Sequence, residues 1–502
     1  MDQSACQVRA EIMNLFNRPA FSYNEPAANM IGTQAGRQGK PEDRKGSCMT
    51  LEFKDLPESR LESVSEALLY HDCESCPRSG YSFFLINGEP DLEALRSAVR
   101  RAQYAYPSLI SLLAVQPAGL RKLLVRRPMA DPPVLKVVDD FQHDLGGRSP
   151  REVLREYFEP RYLQSMDIFT EPAANFYLFR LPDRHCALVC YSHHVAADGS
   201  TMTGIFRTLW AAYHESVTGQ APAWAHSEDL ASSGRVQAPY STIRYLLEMN
   251  REGRRLRKHP IIRFGRDCPP TSARRHMVEF ALTETETKGL VVKAKKFGLT
   301  VNDYLSVACI QSVDAMLGTP PGTLSFWIPA NIRSTAKDLR HANYSTAVNI
   351  DLIQAERIDP PRLAKTFLSR RQFVLTPGRP YASLRMLELL LRLAQYFPVA
   401  RRRRYLKKLF SRPMTFMMSN LGILWPRRID GKMTTESLVT HAGGLDLYDY
   451  GYNFSTDDNL GHGLVAHTYN GRFCAYFSAN QQVMELEYAQ RFMSLLRDRL
   501  LV

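Results

Sequence analysis

His193-His194-Val195-Ala196-Ala197-Asp198-Gly199 is the stretch of this chain whose residue types and spacing could do chemistry. An imidazole titrates near neutral pH, so a positioned histidine can take a proton and give it back. His194 is the expected base; His193 is expected to pack or to hydrogen-bond structurally. An acid four positions after His194, followed by glycine, suits a tight loop. Gly199 permits a close approach that a side chain would block. Read without context, the same run could be a buried histidine pair ahead of an ordinary Asp-Gly turn.

The elements around the run give it a scaffold. Asn175 to Leu181 and His185 to Tyr191 read as strands joined by the turn Leu181-Pro182-Asp183-Arg184. After Gly199, the residues Met202, Ile205, Phe206, Leu209, Trp210 and Tyr213 recur at helical spacing. The histidines therefore stand on a loop between a buried strand and a helix, where a rigid frame can present them to a cleft. Earlier, Ser82 to Gly88 reads as a strand, and Asp91 caps a helix that stops before Pro107.

Residues 219–240 are rich in Ala, Ser, Gly and Pro and read as a linker. Beyond them His276–Leu282, Leu324–Pro329, Ala347–Leu352, Thr415–Asn420, Gly463–Tyr469 and Arg472–Phe477 read as strands. Thr283 and Thr300 are expected helix caps, residues 382–410 are expected to be helical, and a helix from Glu485 to Leu501 follows the last strand. The alternation predicts two α/β or α+β domains. Expected boundaries are a poorly ordered extension over 1–48, a first subdomain over 49–220, a linker over 221–240 and a second subdomain over 241–502.

The bulk numbers agree with a large globular chain. It has 502 residues, 44% apolar and 23% charged, too long for one ordinary core. Net charge is +13, which can attract nucleic acid, anionic lipid or an acidic partner. No zinc-finger spacing or aromatic RNA-binding signature accompanies it, so nucleic acid is not expected. Nine irregularly spaced cysteines do not form a disulfide framework, and the lone Cys73-x-x-Cys76 has no second pair, so neither a metal site nor an oxidising compartment is expected. No stretch reaches the ~20 apolar residues that span a bilayer. Leu384 to Lys408, with Arg401-Arg402-Arg403-Arg404, reads as a core-packed helix with a solvated basic end, a helix resting on an anionic membrane being the alternative.

Taken together, these features resemble the CoA-dependent acyltransferase superfamily, which includes nonribosomal-peptide condensation domains, polyketide-associated acyltransferases, alcohol acetyltransferases and wax ester synthases. HHxxxDG is its signature. Leu85-Ile86-Asn87-Gly88 through Leu95 is similar to the opening strand, turn and helix, and Tyr106-Pro107-Ser108-Leu109 to the segment that follows. Asn302-Asp303, Pro329-Ala330-Asn331-Ile332-Arg333 and Met418-Ser419-Asn420-Leu421-Gly422 resemble further motifs in the same order. The family's Pro-Leu-Trp segment is not evident; Phe169-Thr170-Glu171-Pro172 stands near its place.

The resemblance implies two chloramphenicol-acetyltransferase-like subdomains in a V, with an active-site tunnel at their interface. It implies acyl transfer from a thioester, either acyl-CoA or acyl carrier protein, to a hydroxyl or amine. His194 would be general base and no acyl-enzyme would form. Asp198 would be structural and pair with an arginine, Arg333 being the candidate. Gly199 would keep space or offer its N–H to an oxyanion. Ser419 and Asn420 would line the tunnel or form a strand-end turn, and Asn302-Asp303 would cap a helix and bond between domains. No bound cofactor or metal is expected, only the thioester co-substrate. A monomer in the cytoplasm is expected, with peripheral membrane contact as the other location. Two alternatives are a free-standing condensation enzyme fed by a carrier protein and a catalytically degenerate binding or scaffold member.

Overall fold

The computed structural model describes residues 52–61, 65, 69, 77–118, 121–164, 166–226, 240–266, 272, 274–331, 343, 345–397, 401, 414–429, 432–454 and 461–501. The expected extension over 1–48, the Cys73/Cys76 pair, Arg333 and residues 402–408 lie outside the described residues.

The first stretch of chain supplies β1 (Ser59–Arg60), β2 (Ser79–Asn87), α1 (Leu92–Ala105), β3 (Ser111–Ala118), β4 (Arg121–Pro128), β5 (Lys136–Val138), α2 (Pro150–Tyr162), β6 (Ala174–Arg180), β7 (His185–His193) and α3 (Gly199–Thr218). The second supplies α4 (Thr242–Leu256), β8 (Arg275–Ala281), α5 (Glu284–Lys296), α6 (Val301–Leu317), β9 (Thr323–Asn331), β10 (Ser345–Ile353), α7 (Pro360–Val374), α8 (Arg379–Ala394) and β11 (Phe416–Ile423). It continues with β12 (Pro426–Ile429), β13 (Lys432–Ser437), β14 (His441–Ala442), β15 (Leu445–Asn453), β16 (His462–Tyr469), β17 (Arg472–Asn480) and α9 (Leu486–Leu501).

Two six-stranded sheets dominate. One runs β14-β15-β2-β7-β6-β5 and the other β10-β9-β11-β16-β17-β8. In the first, β2, β6, β7 and β15 pair antiparallel and only β5 lies parallel to its neighbour. In the second, β11 lies parallel to both β9 and β16. The architecture is mixed α/β with two sheet-rich halves, and the halves are not independent in the sheet: β14 and β15 come from the second stretch, and β15 pairs with β2.

Side-chain alternation explains how β7 is held. Cys186, Leu188 and Cys190 join a core that includes Phe84, Phe206 and Trp210. Ala187, Val189 and Tyr191 face the other way, into a core with Phe158 and Phe179. Successive residues of a strand point to opposite faces, so both faces of β7 are covered and its end is fixed. The first of these cores also takes in Trp425, Tyr450, Tyr469 and Tyr476 from the second stretch. The second sheet has a separate core around Phe326, Phe416, Phe477 and Phe492.

Caps fix the helices where expected. Asp91 accepts from the Ala94 N–H at 2.9 Å at the start of α1. Thr283 and Thr300 each form a reciprocal capping box, with Glu286 and Asp303. The helix expected over 382–410 begins earlier, at Arg379, behind Gly378 in the left-handed region, and its regular turns end at Ala394.

Candidate active site

β7 ends at His193, and α3 begins at Gly199. The loop between them is held almost entirely through its backbone. The His193 N–H bonds the Ala173 carbonyl at 2.8 Å and the His194 N–H bonds the Arg78 carbonyl at 2.6 Å. His193 is fully buried, and its Nδ1 accepts from the Val195 N–H at 3.0 Å. That places it as a brace for the loop.

His194 differs. Its Nδ1 lies 3.0 Å from the Ala197 carbonyl oxygen. A carbonyl only accepts, so Nδ1 carries the proton and Nε2 carries the lone pair. The ring lines an internal cavity, so it has accessible surface although protein surrounds it. Burial pushes its pKa below the usual histidine value; the nearby Arg78 charge acts in the same direction, while Asp198 opposes it. Each effect on the charged form has a separate physical cause, and the net result is a neutral imidazole able to take a proton.

Asp198 is the N-cap of α3, its Oδ1 accepting from the Thr201 N–H at 2.9 Å. It is 4% exposed. Gly199 follows, and the space a Cβ would need is already taken by the Leu421 side chain, whose Cδ2 it would overlap. Leu421 comes from β11 in the second half, so the glycine admits a side chain from across the molecule. Trp425, four residues on, donates its indole N–H to the Thr203 carbonyl at 3.0 Å.

The cavity has a volume of about 1420 Å³ and is lined by both halves. From the first come Tyr81, Ser192, His194, Asp198, Gly199 and Ser200; from the second come Asn302, Trp327, Met417, Ser419, Asn420, Tyr452 and Phe454. α4 adds Tyr245, Met249 and Leu256, and α8 adds Met386 and Leu387. Apolar side chains predominate, and exposed Met249, Arg257 and Arg263 stand where it reaches the surface. Ser419 and Asn420 thus line the cavity, and Asn420 also shapes the strand-end turn: its Oδ1 accepts from the N–H of Gly422 at 2.9 Å. Gly422 has φ +73°, a conformation that suits glycine.

Asn302 and Asp303 separate. Asn302 lines the cavity. Asp303 turns into the capping box of α6 and pairs with Arg371 at 3.0 Å. Arg333 cannot be placed against Asp198, since it lies outside the described residues.

Three residues were not foreseen. Asn343 donates to the His194 carbonyl at 2.6 Å and to Ser65 Oγ at 3.0 Å. Arg126 donates to the Val195 carbonyl at 2.8 Å and to Ser65 Oγ at 3.3 Å. Ser65 Oγ in turn donates to the Val195 carbonyl at 3.3 Å. All three are buried, so the two carbonyls flanking the Val195 peptide are gathered by groups from three distant segments. Arg126 ends a short apolar run beside a second arginine, Arg127, so nothing in the sequence singles it out, and Ser65 and Asn343 carry no signal either. Among the described residues no three His, Cys, Asp or Glu side chains gather as metal ligands would, and no helix is long and apolar enough to cross a membrane.

No protein-family model matches the chain. An isonitrile lipopeptide synthase of Mycobacterium tuberculosis is 31% identical over 140 residues, which is 28% of this chain and only 5% of that much longer protein. Similar solved structures cover far more. The first condensation domain of the calcium-dependent antibiotic synthetase aligns over 89% of this chain and 97% of its own, at 15% identity and TM-score 0.63. A trichothecene 15-O-acetyltransferase from Fusarium sporotrichioides aligns over 88% and 94%, at 12% identity and TM-score 0.64. Polyketide synthase associated protein 5 from Mycobacterium tuberculosis aligns over 88% and 98%, at 14% identity and TM-score 0.56. The chain has the fold that the condensation domain shares with the acetyltransferase and with the polyketide synthase associated protein.

Proposed function

We propose, starting from that fold, that the protein transfers an acyl group from a thioester to a hydroxyl or amine, with His194 as general base. The observation that carries this is the pairing of His194 Nδ1 with the Ala197 carbonyl beside a large two-sided cavity. The acceptor's oxygen or nitrogen attacks the thioester carbonyl while Nε2 takes its proton. A tetrahedral oxyanion forms, then collapses, breaking the C–S bond; the departing thiolate takes the proton back from the imidazolium. Proton transfer by a positioned base contributes ~10²–10⁴-fold, and holding both reactants adds more.

Gly199 and Ser200 open α3 and line the cavity, where the positive end of a helix favours developing negative charge. Asn420 uses its Oδ1 for the Gly422 turn, which leaves its amide nitrogen as a donor toward substrate. Asp198 acts by capping α3, so it positions rather than reacts.

The donor reads best as a carrier-borne or CoA thioester. The partial match to a lipopeptide synthase and the likeness to condensation domains favour the carrier, as does a net charge of +13 toward an acidic partner. The test is mass spectrometry after incubation with acyl-CoAs and acyl carrier proteins against panels of alcohols and amines. An ester or amide from the wild type and none from His194→Ala is expected. Equal product from both proteins would reject His194 as base.

A further inference from the structure

One helix faces the cavity on one side and solvent on the other, and the two faces differ in a telling way. On the inner side of α4, Tyr245, Met249 and Leu256 line the cavity. On the outer side, Ile243 is 59% exposed and Leu247, one turn on, is 65% exposed. The same outer face continues through exposed Arg251 and Arg254 to Lys258 just past the helix, with exposed Arg257 beside them. The acids of α4 are occupied elsewhere: Glu248 binds Tyr240, Arg244 and Arg379, and Glu252 binds Arg255 and Arg370. Among the described residues no ion pair links Arg251, Arg254, Arg257 or Lys258 to a carboxylate.

We propose that the outer face of α4 seats the protein on an anionic lipid surface. Protruding aliphatic side chains beside unpaired cations are what a helix needs to lie in the headgroup boundary: the aliphatics enter the acyl region and the cations meet lipid phosphates. The net charge of +13 draws the whole molecule toward such a surface. The opposite face of the same helix opens on a cavity lined by Met249, Leu256, Met386 and Leu387. An apolar chain leaving the bilayer would therefore pass along α4 toward His194. That last step rests on the acyl-transfer reading; the seating itself does not.

The experiment is flotation of the full chain with phosphatidylcholine vesicles and with vesicles containing phosphatidylglycerol. The wild type is expected to bind the anionic vesicles at least ~10-fold better, and to lose binding as salt rises. Ile243→Ser/Leu247→Ser and Arg251→Glu/Arg254→Glu should each lower that binding about 10-fold or more, while both keep the wild-type melting profile. The first variant should also keep wild-type turnover of a water-soluble short-chain thioester, so loss of seating and loss of chemistry are read separately. No binding to anionic vesicles, or binding unchanged in both variants, would overturn the proposal. So would a chain that ignores vesicles yet is retained by an acidic carrier protein through Ile243 and Leu247.

Discussion

His194 and His462 are two imidazoles with the same electrostatic bias and opposite surroundings. His462 opens β16 in the second sheet, fully buried, with the Phe264, Phe416 and Phe477 rings 5.3, 5.6 and 5.8 Å away. Neither of its ring nitrogens has a hydrogen-bond partner among the described residues, and burial pushes its pKa down to about 3. Burial also holds His194 below its ordinary value. The difference lies in what each ring touches. His194 has one nitrogen committed to the Ala197 carbonyl and the ring set against a cavity; His462 stands among phenylalanine rings. A depressed pKa is thus shared by the proposed base and by a packing residue, and access to a void separates them.

The sharpest way to break this contrast is the same replacement at both positions. His194→Phe should cut acyl transfer by ~10²–10⁴-fold, measured as product formed per unit time. His462→Phe should leave turnover unchanged. Equal losses in both would mean that folding, not proton transfer, is being measured. Next in size is the support of the loop. Asn343→Leu removes the donor to the His194 carbonyl and should cost about 10-fold to 100-fold in kcat through misplacement of the ring, with KM little changed. It should also destabilise the fold by roughly 1–3 kcal/mol, the cost of an unsatisfied buried carbonyl. His462 has no such support to lose.

Smaller effects sharpen the picture. Gly199→Ala sets a methyl against Leu421 and should cost ~1–3 kcal/mol in chemical denaturation; adding Leu421→Ala should return part of it. At His462 the folded-state pKa lies below the unfolded value. Stability is therefore full above the unfolded pKa of about 6.5 and drains as pH falls toward 3. His462→Phe should flatten that decline by about one proton, roughly 1.4 kcal/mol per pH unit. The smallest expected shift is kinetic: the acid limb of kcat/KM should fall with a midpoint below 6.5, the ordinary histidine value, because burial lowers the His194 pKa.

How much of this could be read from the chain depends on which atoms do the work. His194, Asp198 and Gly199 act through side chains, or the lack of one, at a fixed spacing, and the spacing is visible. Ser65, Arg126 and Asn343 act on backbone carbonyls that any residue would offer, so no pattern marks them. The strands β2, β6, β7, β16 and β17 show as apolar runs bounded by turns. β15 does not: Asp446, Asp449, Gly451 and Asn453 look like turn residues. In the fold Asp449 meets Arg151 at 2.6 Å, and a Cβ on Gly451 would strike the Phe83 ring at 2.5 Å. α4 has no buried residue, so its periodicity carried no core signal.

The pairing of β15 with β2 joins Asn453 to Tyr81. Until the ribosome has delivered β15, β2 is an uncovered border with a row of unmatched amides, the kind of edge that recruits other chains. So distant a contact closes late and slowly. Maturation of the half that holds the histidines therefore waits on the other half, and a chain halted before residue 445 would emerge adhesive rather than merely inactive.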